Sequence, residues 1–246
     1  MADTRVTVDL PVPSCALAIG AHPDDVEFGC GATFAKWAAA GCRIVHVICT
    51  DGSKGTWDPD LDLDALVALR EEEQRAASRA LGGDGTVEFL GRVDGELTSD
   101  LEARGLVAAA IRRHRPDVVL GHDPWKPYRL HPDHRHAGFL CVEGVVAARD
   151  PHFFPEQGLA PHRPSAILLF EADEVNHVES ATGESLAARW AGLEAHASQY
   201  ETTHFSGVSQ EDPLAGFRRR EREKLAADGA HAGLPLGEAF HRIDET

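Results

Sequence analysis

The sequence predicts an α/β fold, in which a mostly parallel β-sheet is covered by helices on both faces. Short apolar or β-branched runs alternate with longer segments that carry apolar residues at helical spacing. Several of the short runs are apolar at nearly every position, as expected for strands that are buried on both faces of a sheet. No break in composition divides the 246 residues, so we expect one domain over residues 1–246.

The N-terminal part of the chain is predicted to form a strand, a helix and a second strand. Residues 15–20 are a short apolar run, and residues 26–40 carry apolar positions at helical spacing. Gly41 follows this helix at a position where helices often end in a left-handed residue. The β-branched run 43–49 is typical of a further buried strand, which completes a βαβ unit.

The same alternation continues through the rest of the chain. Asp64 is a residue type that caps helices, and Gly82 is one that ends them. We predict further helices at 64–81, 101–114, 133–149, 185–198 and 214–227, and further strands at 87–90, 117–121 and 165–171. Residues 151–164 and 201–213 are predicted as loops, the second of them mobile or wrapped around a neighbouring subunit. The charged run 218–223 is predicted to be the solvated face of its helix.

The composition excludes several classes of function. Forty acidic and 24 basic residues leave a formal net charge of −16, which disfavours binding to nucleic acid or to anionic membranes. Residues 1–5 lack the basic head of a secretory signal, and no apolar stretch approaches the length that spans a bilayer. The five cysteines form no C-x-x-C pair, so we expect reduced, buried thiols rather than disulfides or metal ligands. These features predict a cytoplasmic protein, monomeric or homo-oligomeric, that acts on a small molecule.

Two clusters of polar residues follow predicted strands. Residues 21–25 read Ala-His-Pro-Asp-Asp directly after the first strand, and residues 131–134 read His-Pro-Asp-His beyond the fourth. In an open parallel sheet the ligand crevice lies outside the carboxyl ends of the strands. We therefore expect the two clusters to converge on one site.

The residue types in the two clusters are those of a catalytic metal site. Imidazole nitrogens of His22 and His134 and a carboxylate oxygen of Asp25 suit Zn²⁺, or another divalent metal, and leave a coordination position open. A metal there would acidify water and polarise a carbonyl group, which makes hydrolysis of an amide or ester feasible. Asp24 is then placed to act as the general base. His131 is placed to face the developing oxyanion or to donate a proton to the leaving amine.

Simpler interpretations exist for the same residues. A His-Pro turn with Asp25 as a helix cap would explain the first cluster alone, but two clusters in matching context favour the metal site. Asp133 can hold a ring N–H of His131, which fixes its tautomer and raises its basicity, or can serve only as a helix N-cap. A binding module with a vestigial metal site is a further alternative, against which the intact set of histidines and aspartates argues.

Several segments resemble the LmbE-like, PIG-L family of metal-dependent N-deacetylases. The resemblance is carried by Ala-His-Pro-Asp-Asp at 21–25 with Glu-Phe-Gly-Cys-Gly at 27–31, and by His-Pro-Asp-His at 131–134. Further similar segments occur in family order at 50–52, 70–73 with 80–82, 94–97, 115–119, 122–125 and, more weakly, 238–240. The resemblance thus covers nearly the whole chain.

This resemblance implies a Rossmann-like sheet and one zinc ion per chain, held by His22, Asp25 and His134. It also implies that Asp24 is the general base and that His131 assists the oxyanion or the leaving amine. Family members remove acetyl groups from N-acetylglucosaminyl compounds, while others cleave different amides or hydrate double bonds. We therefore expect deacetylation of an N-acylated amino sugar. The alternative is another amide hydrolysis, or a hydration, of a non-sugar small molecule at the same metal site.

The resemblance also indicates candidate substrate-binding residues. Arg70 and Asp94 lie in segments that contact sugars in relatives. Arg70 is equally compatible with a salt bridge to Glu71 or Glu73 on its own helix. Asp94 precedes Gly95, so a simple turn explains it equally well.

Polar and aromatic residues after the fourth strand have two interpretations each. His122 and Asp123 either line the crevice or form hydrogen bonds within a loop. Trp125 and Tyr128 either stack on a sugar ring or pack the loop, and packing is favoured. Tyr128 also lies near the position of an active-site tyrosine in relatives. The remaining histidines without ligand spacing are predicted at the surface or in loops, as for His152, His162, His177 and His204.

Overall fold

A computed structural model describes residues 6–208 and 211–246. The prediction about a secretory signal concerns residues 1–5, which lie outside the described residues, as do 209 and 210 of the predicted loop 201–213. The strands are Thr7–Val8 (β1), Cys15–Gly20 (β2), Arg43–Thr50 (β3), Val87–Arg92 (β4), Val118–His122 (β5), Ala166–Phe170 (β6), His177–Ser180 (β7) and Gly237–Ile243 (β8). The helices are Asp25–Ala39 (α1), Leu63–Ala80 (α2), Leu101–His114 (α3), Pro132–Arg149 (α4), Gly183–Glu194 (α5) and Pro213–Ala230 (α6).

The described strands form an eight-stranded sheet in the order β1-β7-β8-β6-β5-β2-β3-β4. β8 pairs antiparallel with β6 and β7, and the other neighbouring strands pair in parallel. The predicted α/β class with a mostly parallel sheet is therefore confirmed. β2 lies between β3 and β5, where the chain changes the direction in which it builds the sheet. Such a change of direction opens a crevice beyond the carboxyl ends of the two strands.

Alternate residues of the central strands enter two separate cores, because successive side chains of a strand point to opposite faces. On one face Leu17 of β2 belongs to a cluster with residues of α3 and α4, such as Leu140. On the other face Ala18 of β2 belongs to a cluster with residues of α1, such as Phe34. Helices therefore cover both faces, as predicted, which explains why β2, β5 and β6 are buried along their whole length.

Gly138 allows α4 to lie close to the end of β5. A Cβ atom at this position would come within 2.6 Å of the carbonyl oxygen of His122. Any larger residue would therefore push the helix away from the strand. The close approach brings the N-terminus of α4, which carries the second polar cluster, next to the crevice beyond β2 and β5.

The structure corrects several predictions about individual elements. Strands β1, β7 and β8 were not predicted, because they are short or mix polar with apolar residues. Their position comes from pairing with distant segments, which local periodicity does not record. α5 ends at Glu194 rather than at 198. Part of the predicted loop 201–213 is a π-helical turn, Tyr200–His204.

Some polar residues predicted at the surface are buried instead. His177 is fully buried, with its Nε2 atom 2.9 Å from the carboxylate of Glu179. His204 is also fully buried. Within the charged run of α6, Glu221 is 3% exposed and pairs with Arg189 of α5. In each of these cases a polar partner on the protein compensates for the loss of water.

None of the described helices combines the length and the apolarity that a membrane span needs. All five cysteines are buried thiols. Burial raises the pKa of the Cys141 thiol to about 12, which keeps it protonated and chemically inert near neutral pH.

Candidate metal centre

The two polar clusters meet at the carboxyl ends of β2 and β5. His22 and Asp25 follow β2, while His131 and His134 lie at the start of α4. A cavity of about 580 Å³ opens over these four side chains. The convergence that strand order predicted is therefore present in the structure.

The geometry of the predicted metal ligands fits a zinc ion. Donor atoms of His22, Asp25 and His134 all lie within 4.8 Å of one another. Asp25 Oδ2 is 3.3 Å from His22 Nδ1, and Asp25 Oδ1 is 3.3 Å from His134 Nε2. Ligands that bind zinc at about 2.0–2.1 Å in a tetrahedron are about 3.3 Å apart. Two imidazoles and a carboxylate beside an open cavity are the donor set of a catalytic rather than a structural site.

A second group of residues that could bind a metal ion lies next to the first, and it already surrounds the cationic side chain of Arg129. His122, His134 and Glu171 offer donor atoms within 4.8 Å of one another. Arg129 Nη1 is 2.7 Å from Glu171 Oε2, and 3.3 Å and 3.4 Å from the Nδ1 atoms of His122 and His134. The guanidinium therefore supplies the positive charge that this group needs. His122 also supports the first group, since its Nε2 atom lies 3.2 Å from Asp25 Oδ2.

Arg129 and Glu171 were not predicted as site residues. Glu171 follows β6 directly, so the rule that identified the other strand ends would have identified it as well. Arg129 lies in the long loop before α4 and has no such signal. His122, for which crevice lining and loop hydrogen bonding were both open, is 1% exposed and belongs to the site.

The metal-site side chains form a buried cluster of opposite charges. Burial lowers the pKa of His22, but its hydrogen bonds to carboxylates, above all Asp133, outweigh burial and hold the pKa well above its usual range. Burial raises the pKa of Asp25, but its interactions with His134, His122 and His22 outweigh burial and hold the pKa well below its usual range. Burial lowers the pKa of His134 to about 4, so its ring is neutral and has a lone pair for a metal.

Asp24 lies beside the metal ligands without joining them. Its backbone φ is 109°, and its side chain makes no capping hydrogen bond to α1. The carboxylate lines the cavity, with Arg70 Nη2 4.0 Å away. Burial raises the pKa of Asp24 to about 6, with Arg70 opposing the shift and Asp25 adding to it. A carboxylate with such a pKa can accept a proton near neutral pH.

The structure changes the expected relation between His131 and Asp133. The N-cap of α4 is His131, whose Nδ1 atom accepts a hydrogen bond of 3.3 Å from the backbone N–H of Asp133. The Asp133 carboxylate contacts His22 Nε2 at 3.2 Å and accepts a hydrogen bond of 2.6 Å from the backbone of Gly95. Asp133 therefore contacts a predicted metal ligand, His22, through its carboxylate, and the His131 ring through its backbone. His22, His131 and Asp133 form a third group of residues whose donor atoms lie close enough to hold a metal ion. In this group the Asp133 carboxylate already contacts His22 and the backbone of Gly95.

The candidate substrate-binding residues Arg70 and Asp94 both line the cavity. Arg70 is 3% exposed and donates hydrogen bonds to two backbone carbonyl oxygens, rather than forming the alternative salt bridge within its helix. Asp94 accepts a hydrogen bond of 3.1 Å from the backbone of Lys54 and lies 3.2 Å from His22 Nε2. Both residues therefore support the metal site as well as the cavity wall.

The exposed tryptophan on the cavity wall is one that the sequence did not single out. Trp57 lines the cavity and is 75% exposed, whereas Trp125 and Tyr128 lie outside it. The ring of Trp125 faces Phe139 at 6.2 Å, and its backbone N–H donates to Asp123, as the loop-packing interpretation predicted. Tyr128 is 95% exposed.

Comparison with known proteins agrees with this arrangement. A family model described as GlcNAc-PI de-N-acetylase (PIG-L) matches residues 17–145, more than half of the chain. The diacetylchitobiose deacetylase of Thermococcus kodakarensis is 35% identical over 187 residues, which cover 75% of this chain and 69% of that protein.

Two further relatives extend the comparison. A 1D-myo-inositol 2-acetamido-2-deoxy-alpha-D-glucopyranoside deacetylase of Streptomyces avermitilis is 37% identical over 167 residues, which cover 58% of this chain and 56% of that protein. The solved structure of the N,N'-diacetylchitobiose deacetylase from Pyrococcus horikoshii has a TM-score of 0.83 and 30% identity, and the match covers 94% of this chain and 84% of that one. Motifs, fold and site geometry agree with the family match, and the chain belongs to the GlcNAc-PI de-N-acetylase (PIG-L) family.

Proposed function

We propose that this protein is a zinc-dependent hydrolase that removes an N-acyl group, most simply acetyl, from an amino sugar or an amino-sugar conjugate. The observation that carries the proposal is the convergence of His22, Asp25 and His134 beneath a cavity that Asp24 also lines. The substrates named for the relatives support the choice of sugar, since diacetylchitobiose and the acetamido-glucopyranoside of inositol both carry an N-acetylated glucosamine.

His22, Asp25 and His134 would hold the zinc ion, for which their donor atoms have suitable separations. Bound zinc would polarise the amide carbonyl and make water a better nucleophile near neutral pH. Asp133 supports the ligand set from outside, because its carboxylate contacts the ring of His22.

Asp24 is the proposed general base. Its carboxylate faces the cavity beside the ligand Asp25 and is free of any helix-capping hydrogen bond. It takes a proton from the attacking water and passes it to the leaving nitrogen, so the amine departs in a neutral form.

His131 is the proposed partner of the oxyanion. Because its Nδ1 atom accepts a hydrogen bond from the Asp133 backbone, the proton of the neutral ring belongs on Nε2. Burial and the charge of His22 lower the pKa of His131, which also favours the neutral ring. An Nε2–H in the cavity can donate to the oxygen on which charge develops, or to the departing amine.

We also propose that residues 1–246 work as one domain in the cytoplasm, on a small molecule and without nucleic acid or membrane as a partner. The net charge of −16 supports this proposal, because it opposes attraction to phosphate-rich surfaces. Arg70 and Asp94 are proposed to meet the sugar where they line the cavity.

The test combines metal analysis with a substrate panel. Wild-type protein and His22→Ala are purified side by side without chelator, and zinc per chain is measured by elemental mass spectrometry. Both are then incubated with N,N'-diacetylchitobiose, N-acetylglucosamine and an N-acetylglucosaminyl inositol, and free amine and acetate are quantified. We expect near one zinc and amine release for the wild type, and neither for the variant. Zinc-loaded protein that releases no amine from any of these sugars would overturn the proposal.

A further inference from the structure

Asp24 holds a backbone conformation that residues with side chains rarely adopt. Its φ of 109° lies in the left-handed half of conformational space. Such a conformation persists only where surrounding groups hold it in place. In this structure, hydrogen bonds to the peptide group between Pro23 and Asp24 hold it in place.

Both polar atoms of that peptide group are bound by α2. The carbonyl oxygen of Pro23 accepts a hydrogen bond of 2.6 Å from Arg70 Nη2. The N–H of Asp24 donates a hydrogen bond of 3.0 Å to Gln74 Oε1. Arg70 and Gln74 stand one helical turn apart, so their side chains lie on the same face of α2. Rotation of the peptide group would break both bonds at once.

The amide of Gln74 is fixed in turn from behind. Its Nε2 atom donates a hydrogen bond of 2.8 Å to Glu27 Oε1. The amide cannot turn over, because its oxygen would then face a carboxylate and its NH₂ group would face an N–H donor. Glu27 lies between the Nε2 atoms of His46 and His196, at 3.4 Å and 3.5 Å. Gln74, Glu27 and both histidines are fully buried.

We propose that Gln74 is a positioning residue, which together with Arg70 clamps the Pro23–Asp24 peptide and so aims the Asp24 carboxylate into the cavity. The clamp rests on the proposed function in two respects, namely that Asp24 acts as the base and that Asp25 is a metal ligand. Asp25 follows immediately as a metal ligand, so a rotated peptide would move the base relative to the metal site. Misplacement of a catalytic group by about 1 Å lowers rates by roughly 100-fold.

Gln74 is the better residue for testing the clamp. Arg70 lines the cavity, so its removal would also change the cavity wall. Gln74 is fully buried, and within the described residues its side chain forms hydrogen bonds with the Asp24 N–H and with Glu27. The main variant is therefore Gln74→Leu, which keeps the bulk and removes both hydrogen bonds. Ser78→Ala is the matched control, because Ser78 is a fully buried polar residue one turn further along α2.

A double variant separates a lost hydrogen bond from disturbed packing. Glu27→Gln combined with Gln74→Glu exchanges the amide and the carboxylate while conserving the net charge. An oxygen acceptor for the Asp24 N–H is retained, and an amide donor for the new carboxylate is provided. We expect the kcat of this double variant to be at least tenfold higher than the kcat of Gln74→Leu.

Three measurements are made on all four proteins: hydrogen exchange of the peptide covering residues 20–28, zinc per chain, and kcat and KM on N,N'-diacetylchitobiose. In Gln74→Leu we expect faster exchange confined to this peptide, unchanged zinc, a KM close to that of the wild type, and a kcat lower by about 100-fold. Ser78→Ala should match the wild type throughout.

Unchanged exchange or unchanged kcat in Gln74→Leu would overturn the clamp. Faster exchange over the whole chain, without recovery in the double variant, would overturn it as well, because Gln74 would then be a general packing residue. If the wild type releases no amine from N-acetylated sugars, the proposed function fails, while the exchange of residues 20–28 still decides whether Gln74 holds the peptide.

Discussion

Asp24 and Asp25 are neighbours of the same residue type in opposite electrostatic environments. Burial raises the pKa of Asp24 to about 6, although the charges of Arg70, His196 and His22 oppose the shift. Burial acts on Asp25 too, but its interactions with His134, His122 and His22 outweigh burial, lower the pKa and keep this carboxylate ionised. The chain thereby separates an ionised carboxylate, suited to hold a metal, from a carboxylate that can exchange a proton.

The first prediction concerns this separation of roles. Asp24→Asn is expected to keep near one zinc per chain and to lose about 10²- to 10⁴-fold in kcat, because the amide cannot accept a proton. Elemental analysis and steady-state kinetics on the same preparation provide the measurement. Parallel loss of zinc and activity would instead identify Asp24 as a ligand.

The convergence of the candidate site residues was predictable where the chain places polar residues directly after a strand. His22 and Asp25 follow β2 and combine with His134 at the start of α4, so strand order alone suggested that they meet. Gln74 had no such signal, since it is one polar residue among many on α2. Its proposed role depends on the contact with Asp24, which arises only when the fold places α2 beside the segment that precedes α1.

At the scale of elements, the C-terminal part of the chain is joined to α1 by a buried ion-pair network. Arg189 of α5 donates a hydrogen bond of 2.6 Å to Glu238 of β8 and one of 2.7 Å to Glu221 of α6. The guanidinium is fully buried, and both carboxylates are nearly so. Three elements that are distant in sequence are therefore held together by one side chain.

The same network compensates for a break in α1. Cys30 has non-helical φ and ψ of −149° and 23°, which interrupts the helical hydrogen bonds. The freed N–H groups of Ala32 and Thr33 donate to Glu238 at 2.9 Å and 2.8 Å. Glu238 therefore serves as a cap for the second half of α1 as well as a partner for Arg189.

The second prediction concerns this network. Arg189→Met should lower the free energy of unfolding by about 3–5 kcal/mol, because it leaves two buried carboxylates without their cation. Arg218→Met is the comparison, since Arg218 pairs with Glu194 at the surface and should change the stability by at most about 1 kcal/mol. Urea unfolding of both variants measures the difference, and equal effects would contradict the assigned importance of the buried network.

The third prediction concerns the pH dependence of a contact between β4 and α3. Burial raises the pKa of Glu88, but hydrogen bonds from His114 and Arg113 outweigh burial and lower the pKa from its ordinary 4.5 to about 2. A lowered pKa means that Glu88 stabilises the fold fully above pH 4.5 and loses this contribution as the pH falls toward 2. Glu88→Gln should therefore be less stable than the wild type by about 1 kcal/mol at neutral pH, after allowance for solvent screening.

The check is a set of urea unfolding curves for both proteins at neutral pH and at several values below pH 4.5. The stability difference between wild type and Glu88→Gln should shrink steadily in the acidic part of this range. A difference that stays constant with pH would show that ionisation of Glu88 does not stabilise the fold.

Elements were predictable where burial on both sides gives a continuous apolar run. β2, β5 and β6 are such strands, and their predicted positions agree with the structure to within a few residues. β8 reads Gly-Glu-Ala-Phe-His-Arg-Ile and is only partly buried, so neither a continuous nor a strictly alternating pattern identifies it. Its antiparallel place between β6 and β7 follows from tertiary pairing.

At the scale of the whole molecule, the charge of the chain and the charge of the cavity wall differ. The chain carries a net charge of −16, yet Lys54, Arg220 and Lys224 stand on the wall of the cavity beside its carboxylates. The wall also contains Thr202, Thr203 and the exposed ring of Trp57. The cavity has a volume of about 580 Å³, which lies well inside the range of roughly 300–1,000 Å³ found for pockets that hold drug-sized ligands. Such a cavity suits a substrate larger than a single hexose.

The last prediction follows from the position of Trp57 on this wall. An exposed indole on the wall of this cavity would offer a flat apolar face to the second unit of a conjugate, while the proposed metal site would engage the acetamido group. An aromatic contact of this kind is worth about 1 kcal/mol, or roughly fivefold in affinity. Trp57→Ala should therefore raise KM for N,N'-diacetylchitobiose about fivefold and leave KM for N-acetylglucosamine unchanged, whereas Trp57→Phe should retain most of the effect of the ring.

Trp125→Ala serves as the control, because Trp125 is also exposed but lies outside the cavity, and it should alter neither KM. An equal rise in KM for the disaccharide and the monosaccharide would mean that Trp57 acts on the reacting sugar or on the loop itself. A rise for the disaccharide alone would assign the part of the cavity beside Trp57 to the second unit of the substrate, so that this wall, and not the metal site, favours conjugates over N-acetylated monosaccharides.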